Sequence, residues 1–256
     1  MLKEERQYFI IKELNKNNII HISDITEKLN VTEMTVRRDL KELEEKGILK
    51  RIHGGAKTID LLSKKEFSHN EKSKKNVKYK TIIAKTLVST INDNETIFLG
   101  SGSTIELVSE FIGDKKCKIV TNSLYLFNKL NYIGFESSIL IGGRFRNNTG
   151  AFVGSLATDL VRKLRFNRAY IGVNGINEDK IFTFNEDAGE IQRIALDNSE
   201  VKYIVADHTK IGKEDFFSFY NLDEIDYLIT DNAIDNKSYS DIKNYTKIIL
   251  PESIEN

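Results

Sequence analysis

The sequence predicts an α/β protein in two parts, an N-terminal winged helix-turn-helix followed by a larger C-terminal domain on a mainly parallel sheet. Three observations predict it. Apolar residues recur at helical spacing over much of residues 4–46, β-rich runs alternate with helical stretches from Thr81 onward, and charge is divided between the halves. Residues 1–80 hold 19 Lys and Arg against 13 Asp and Glu, a balance of +6; the rest of the chain carries −6, so the total is zero. A basic head on an acidic body suits a chain of which one end meets a polyanion.

With 256 residues, 40% hydrophobic and 30% charged, the chain is long and apolar enough for one large or two unequal domains. No apolar run approaches the roughly 20 residues that cross a bilayer, and Met1 to Arg6 lacks the apolar core of a signal peptide, so the expected location is cytoplasmic, away from membranes. Cys117 is the only cysteine, which excludes an internal disulfide and a cysteine-based zinc site; no metal is expected.

The head opens with an amphipathic helix, Glu4 to Leu14, in which Tyr8, Ile11 and Leu14, flanked by Phe9 and Ile10, form the apolar side. Ile19 to Ile22 reads as a short strand. Ser23 is placed to cap a second helix, Asp24 to Leu29, and after the turn Asn30-Val31-Thr32 a third runs from Glu33 to Lys46, capped by Thr32 and stopped by Gly47. Two helices across a three-residue turn form a helix-turn-helix, whose second helix enters a major groove. Met34, Val36, Leu40 and Leu43 are expected on its inner side.

That leaves Thr32, Glu33, Thr35, Arg37, Arg38 and Lys41 as DNA-side candidates, although one helix cannot aim all six at DNA. Arg37 or Arg38 can pair with guanine or clamp a phosphate, and the residues do not decide which. Ile48 to Ala56 alternates apolar and basic residues around Gly54-Gly55, as a β-hairpin wing does, offering Lys50, Arg51 and His53 to phosphates. For any one pair of these cations a solvated surface is the plain alternative; their arrangement around one turn favours DNA. Lys64, Lys65, Lys72, Lys74, Lys75, Lys78 and Lys80 then mark a hinge near DNA, dividing the chain into residues 1–57, a linker 58–75 and residues 76–256.

In the body the β-rich runs are Thr96 to Leu99, Lys118 to Thr121, Ser138 to Ile141, Ala169 to Val173, Lys202 to Ala206, Tyr227 to Thr230 and Lys247 to Leu250. Ligands of such sheets settle beyond the carboxyl ends of the strands. Those ends carry Ser101, Gly102, Ser103 and Thr104 before a helix from about Ile105, then Asn122 and Ser123, Gly143 and Arg144, Asn174, and Asp207 with Lys210. Donors and cations suit a phosphate, carboxylates and amides the hydroxyls of a sugar. Each also has a plain reading: the glycines as turns, Asn122 as a cap, Lys210 as a surface lysine, Arg144 as the partner of a neighbouring acid. A dinucleotide site is excluded, since Ile105 stands where the third glycine belongs, and no Walker A sequence occurs. No cofactor is expected, only a small phosphorylated ligand.

Arg6, Ile10, Leu14, Thr32 and Thr35-Val36-Arg37-Arg38-Asp39-Leu40, followed by His53-Gly54-Gly55-Ala56, resemble in register the head of the DeoR family of bacterial regulators. Phe98 to Thr104, Val120 to Ser123, Ile141 to Gly143 and Asp207 to Gly212 extend the resemblance to the family's sensor domain. It implies a ribose-5-phosphate-isomerase-like fold and a homo-oligomeric transcription repressor of a sugar-utilisation operon, bound to double-stranded operator DNA and released by a phosphorylated sugar. Lys65 to His69 and Lys210 to Phe219 look most like members induced by tagatose 6-phosphate. The chain departs from the family's Gly-x-Thr-Thr at Lys180-Ile181-Phe182-Thr183 and from its Glu-Ala-x-Val-Lys-Arg at Ala188 to Arg193, a loop expected to touch the sugar. An activator would share these residues. The rival from another class is a sugar-phosphate isomerase or hydrolase with Asp207 and Lys210 as acid-base groups; the head, which a catalyst does not need, argues against it.

Overall fold

Ten buried apolar side chains, from Ile10 and Leu14 through Val36, Leu40 and Leu43 to Leu49 and Ala56, close the core of the first unit in a computed structural model of the chain. The chain divides into two units, residues 1–65 and 66–256, and the structure describes residues 3–17, 19–45, 48–58 and 66–252.

In the first unit α1 (Lys3–Asn17), β1 (Ile19–His21), α2 (Ile22–Leu29) and α3 (Glu33–Glu45) precede a hairpin of β2 (Leu49–Ile52) and β3 (Gly55–Thr58), and β3 lies antiparallel between β1 and β2. Asn30 ends α2 at φ +50°, a left-handed conformation that asparagine tolerates, so the turn stays tight. As expected, the Thr32 hydroxyl accepts from the Thr35 amide at 3.3 Å. Three expectations change. Extended His21 precedes α2, which starts at Ile22, and Ser23 lies inside its first turn with its hydroxyl on the Asp24 carboxylate. Tyr8 and Met34, expected inside, are 71% and 79% exposed, because the buried stripes run through Ile10 and Leu14 and through Val36, Leu40 and Leu43. Lys46 and the stop at Gly47 lie outside the described residues.

The second unit begins earlier than the sequence suggests. Residues 66–75, read as linker, pack on it: Arg146 makes a bidentate pair with Glu66 at 2.7 and 3.2 Å, and the His69 amide donates to the Asn148 carbonyl at 2.7 Å. Ser68 and Glu71 form a capping box that starts the short helix α4 (His69–Ser73). Lysine content alone does not make a tether when neighbouring carboxylates and carbonyls fix it.

After α5 (Val77–Ser89), a seven-stranded sheet is assembled from β4 (Thr96–Leu99), β5 (Lys118–Thr121), β6 (Ser138–Leu140), β9 (Phe166–Gly172), β12 (Ser199–Val205), β14 (Tyr227–Ile229) and β15 (Lys247–Ile249). Its order is β15-β14-β12-β9-β4-β5-β6 and every neighbouring pair is parallel. Alternation sorts its side chains: Ile97, Leu99, Ile119 and Tyr170 join a core with Ile83 and Leu87 of α5 and Leu126 of α6 (Leu124–Tyr132). Phe98, Val120 and Ile171 join the opposite core with Val161 of α7 (Ser155–Arg162), Ile191 of α8 (Glu186–Asp197) and Ile242 of α9 (Asn236–Lys243). Each fully buried side chain of this size contributes about 1.5–3 kcal/mol. Outside the main sheet, β7 (Arg144–Arg146) pairs with β8 (Ala151–Val153), and β10 (Gly175–Asn177), β11 (Lys180–Thr183) and β13 (Phe217–Asn221) form a small antiparallel sheet.

Candidate nucleic-acid interface and anion cavity

Each residue of α3 turns the side chain by about 100°, so burying Val36, Asp39, Leu40 and Leu43 sends Arg38 and Lys41 to the opposite side. The Arg38 side chain is 85% exposed. Arg37 and Glu33 share a flank, joined at 3.2 Å, and Arg37 lines a shallow groove with Arg51 and His53 of the hairpin. Arg51 is steadied there by Glu44, which accepts from its amide and guanidinium at 2.8 and 2.7 Å, while Lys50 is exposed on the same strand. Thr32 and Thr35 pair their hydroxyls at 2.9 Å, and Thr35 lies on the flank away from Arg37. Arg37, Arg51 and His53 thus line one groove, while Arg38 and Lys41 stand on the outer side of α3 near Glu42 at 4.0 Å and Glu45 at 3.8 Å, and the candidates at Thr32 and along α3 spread over more than one face.

In the second unit the chain order runs outward from β4 in one direction through β5 and β6 and, in the other, through β9, β12, β14 and β15. Beyond the carboxyl ends of β4 and β9, where that order reverses, lies a cavity of about 240 Å³. Ser101 to Thr104 after β4, Gly172 to Asn174 at the end of β9 and Val205 to Asp207 with Lys210 after β12 line it. Gly102 has φ +148°, open to glycine and rare for other residues, which turns the loop along the cavity wall.

Charge sets the character of this cavity. Lys72, Lys75, Lys80, Arg146, Lys210 and Lys213 line it against only Glu66 and Asp207. The Lys80 ammonium donates to the Ser103 hydroxyl at 2.9 Å and to the Lys72 carbonyl. Lys72 donates to Asn174 at 3.2 Å, and Asn174 in turn to Asp215 at 2.8 Å. Loss of solvent pushes Lys80 down to about 8, and the same cause lowers Lys72 and Lys210 from the usual lysine range. None of these three ammonium groups is in a salt bridge among the described residues. Asp207 is already engaged, accepting from the Thr209 amide at 3.1 Å and from Asn76 at 3.2 Å. Desolvated cations beside hydroxyls make a receptor for an anion of the size of a phosphate.

Ser101, Gly102, Ser103, Thr104, Asn174, Asp207 and Lys210 therefore converge as the sequence suggests, and four other candidates do not reach the cavity lining. Asn122 is buried with its amide on the Phe152 carbonyl at 3.0 Å, and Ser123 caps α6. At Gly143 a side chain would meet the Val153 carbonyl at 2.8 Å, so the glycine serves close packing against β8. Arg144 is exposed and pairs with Asp187. The helix expected from Ile105 is a six-residue 3-10 turn, Ile105–Glu110, too short to lend a helix dipole.

The family defined as the DeoR C terminal sensor domain matches residues 75–232, and the DeoR-like helix-turn-helix domain matches residues 6–61. The chain belongs to the DeoR family. Among DeoR-family relatives, the lactose phosphotransferase system repressor of Staphylococcus aureus (strain NCTC 8325 / PS 47) is 41% identical over 251 residues, 97% of this chain and 100% of that one. The protein of the same name from Streptococcus mutans serotype c (strain ATCC 700610 / UA159) is 38% identical over the same shares. Among solved structures, ribose 5-phosphate isomerase A of Methanocaldococcus jannaschii covers 53% of this chain and 55% of its own, at 17% identity and a TM-score of 0.39. No helix among the described residues is long and apolar enough to cross a membrane.

In this DeoR-family chain the cavity residues that sequence reasoning missed include Glu66, Phe67, His69, Lys72 and Lys75 of the segment read as linker, Asn76 and Lys80 just after it, and Arg146, Thr149 and Lys213 farther on. A signal existed for one of them. Lys80 occupies the same helical stripe as Ile83, Ala84 and Leu87, all buried, and a lysine in an apolar stripe is either paired or aimed at a ligand. His69, whose ring lies 2.5 Å from buried Glu106 and stacks on Tyr125, has no local signal, because its partners are 37 and 56 positions away.

Proposed function

We propose that this DeoR-family protein is a DNA-binding repressor of a sugar-utilisation operon, acting as a homo-oligomer and released from operator DNA by a phosphorylated sugar. The observation that carries the sugar-phosphate reading is the trio of desolvated ammonium groups, Lys72, Lys80 and Lys210, none of them in a salt bridge among the described residues, around the Ser101 to Thr104 loop. A phosphate dianion offers each of them a counter-charge. Full-length similarity to lactose phosphotransferase system repressors supports both repression and a sugar pathway, and makes tagatose 6-phosphate the first ligand to try.

Operator contact is assigned to Arg38 and Lys41 on the outward side of α3, with Arg37, Lys50, Arg51 and His53 holding phosphates from the wing side. Two heads of an oligomer meet half-sites about one helical turn apart, or a multiple of it. Asp207, given acid-base work by an isomerase or hydrolase reading, spends one oxygen on Thr209 and Asn76, which supports a structural part for it.

Because linkage is reciprocal, the sugar phosphate that weakens operator binding must itself bind less tightly to the operator complex, by the same factor. Titrating the protein with tagatose 6-phosphate, with and without a duplex from upstream of its own gene, tests this. Equal sugar-phosphate affinity in both titrations defeats the proposal.

A further inference from the structure

Gln192 on α8 is 6% exposed and lines the cavity. Its amide nitrogen faces the Gly172 carbonyl at 3.5 Å, which fixes the orientation of the amide: exchanging nitrogen and oxygen would set two carbonyl oxygens against each other. The Gln192 Oε1 is then buried without a hydrogen-bond partner, and the Thr149 hydroxyl, also on the cavity lining, is in the same condition. Burying a polar atom unpaired lowers stability, so such atoms in a ligand cavity mark bonds that the ligand completes.

The chemistry of the missing partner follows from the atom. An amide oxygen only accepts, and a phosphate dianion has no hydrogen to donate. A sugar hydroxyl does. Resting on the reading of the cavity as a sugar-phosphate site, we infer that Gln192, with Thr149, determines specificity for the hydroxyl-bearing end of the ligand, while Lys80 and Lys210 hold its phosphate. Discrimination among sugar phosphates then belongs to the uncharged lining side chains rather than to the lysines.

The test compares tagatose 6-phosphate with inorganic phosphate by calorimetry on the full-length protein. Gln192→Met removes the acceptor at similar volume. It is expected to weaken tagatose 6-phosphate by about 10- to 100-fold, to leave inorganic phosphate within about twofold, and to raise the Tm of the ligand-free protein. Thr149→Val is expected to reduce the preference for the sugar phosphate over inorganic phosphate. Equal losses for both ligands, or no loss for either, overturn the inference. So does a Gln192→Met chain that fails to fold, since that would make Gln192 a structural residue. Wild-type protein that binds inorganic phosphate but no sugar phosphate instead overturns the sugar-phosphate reading itself.

Discussion

Arg6 of α1 grips Asp39 of α3 through two hydrogen bonds, at 2.5 and 3.1 Å, although Asp39 is only 2% exposed. A buried carboxylate of the recognition helix is therefore held by a guanidinium 33 residues away in the chain. Removing Arg6 leaves the Asp39 carboxylate buried without this partner, at a cost of about 3 kcal/mol or more. Arg6→Ala is expected to unfold the first unit at lower urea than the wild type and to lose operator binding with it. Unchanged urea midpoints would show that the pair contributes nothing to the stability of the first unit.

Arg38 and Arg37 are adjacent in sequence and part company on the helix. Arg38→Ala is expected to cost about 1–3 kcal/mol of operator binding and to relax specificity at one base pair. Arg37→Ala, beside the wing, should weaken all sequences alike and reduce the salt slope by about one. Binding curves on a set of single-base operator variants at two salt concentrations separate the two outcomes.

Lys80 gives the cavity a pH dependence with a definite sign. Its pKa of about 8 lies below the 10.5 of the unfolded chain. Between those values the unfolded state holds a proton that the folded state has released, so ligand-free stability rises with pH across that window. Sugar-phosphate affinity moves the other way, falling by up to about tenfold for each unit above pH 8, because the phosphate needs the charged form. Calorimetry at pH 7.5 in buffers of different ionisation enthalpy should register net proton uptake on binding.

Lys210 and Arg144 are both cations at strand ends, and only the first lines the cavity. Lys210→Met is expected to weaken sugar phosphate by about 10- to 100-fold, the worth of a charge-assisted hydrogen bond. Arg144→Ala should change it less than about twofold. Thermal shifts against a phosphosugar panel compare the two directly, and a strong loss at Arg144 would place the ligand elsewhere.

The central sheet was legible because strands buried on both faces read as continuous apolar runs, and two of them, β4 and β5, begin and end at the residues expected. The small sheet of β10, β11 and β13 was not, because its strands are three to five residues long and β11 pairs with β13 across 33 residues of intervening chain. In the site, Ser101 to Thr104, Asn174, Asp207 and Lys210 could be found from their place after strands. Lys72 and Lys75 could not, since a lysine-rich run has the composition of a solvated surface whether or not a cavity lies beneath it. Arg144 misled for the converse reason: its partner Asp187 is 43 positions away, and nothing local distinguishes a paired guanidinium from a waiting one.

The short helix α4 buries no side chain, and its segment is fastened by the Arg146–Glu66 pair, His69 and Lys72 rather than by apolar packing. Without a hydrophobic anchor, this stretch can peel away at a small fraction of the free energy that opens the sheet. Its amides should therefore exchange with deuterium long before those of β4 and β9.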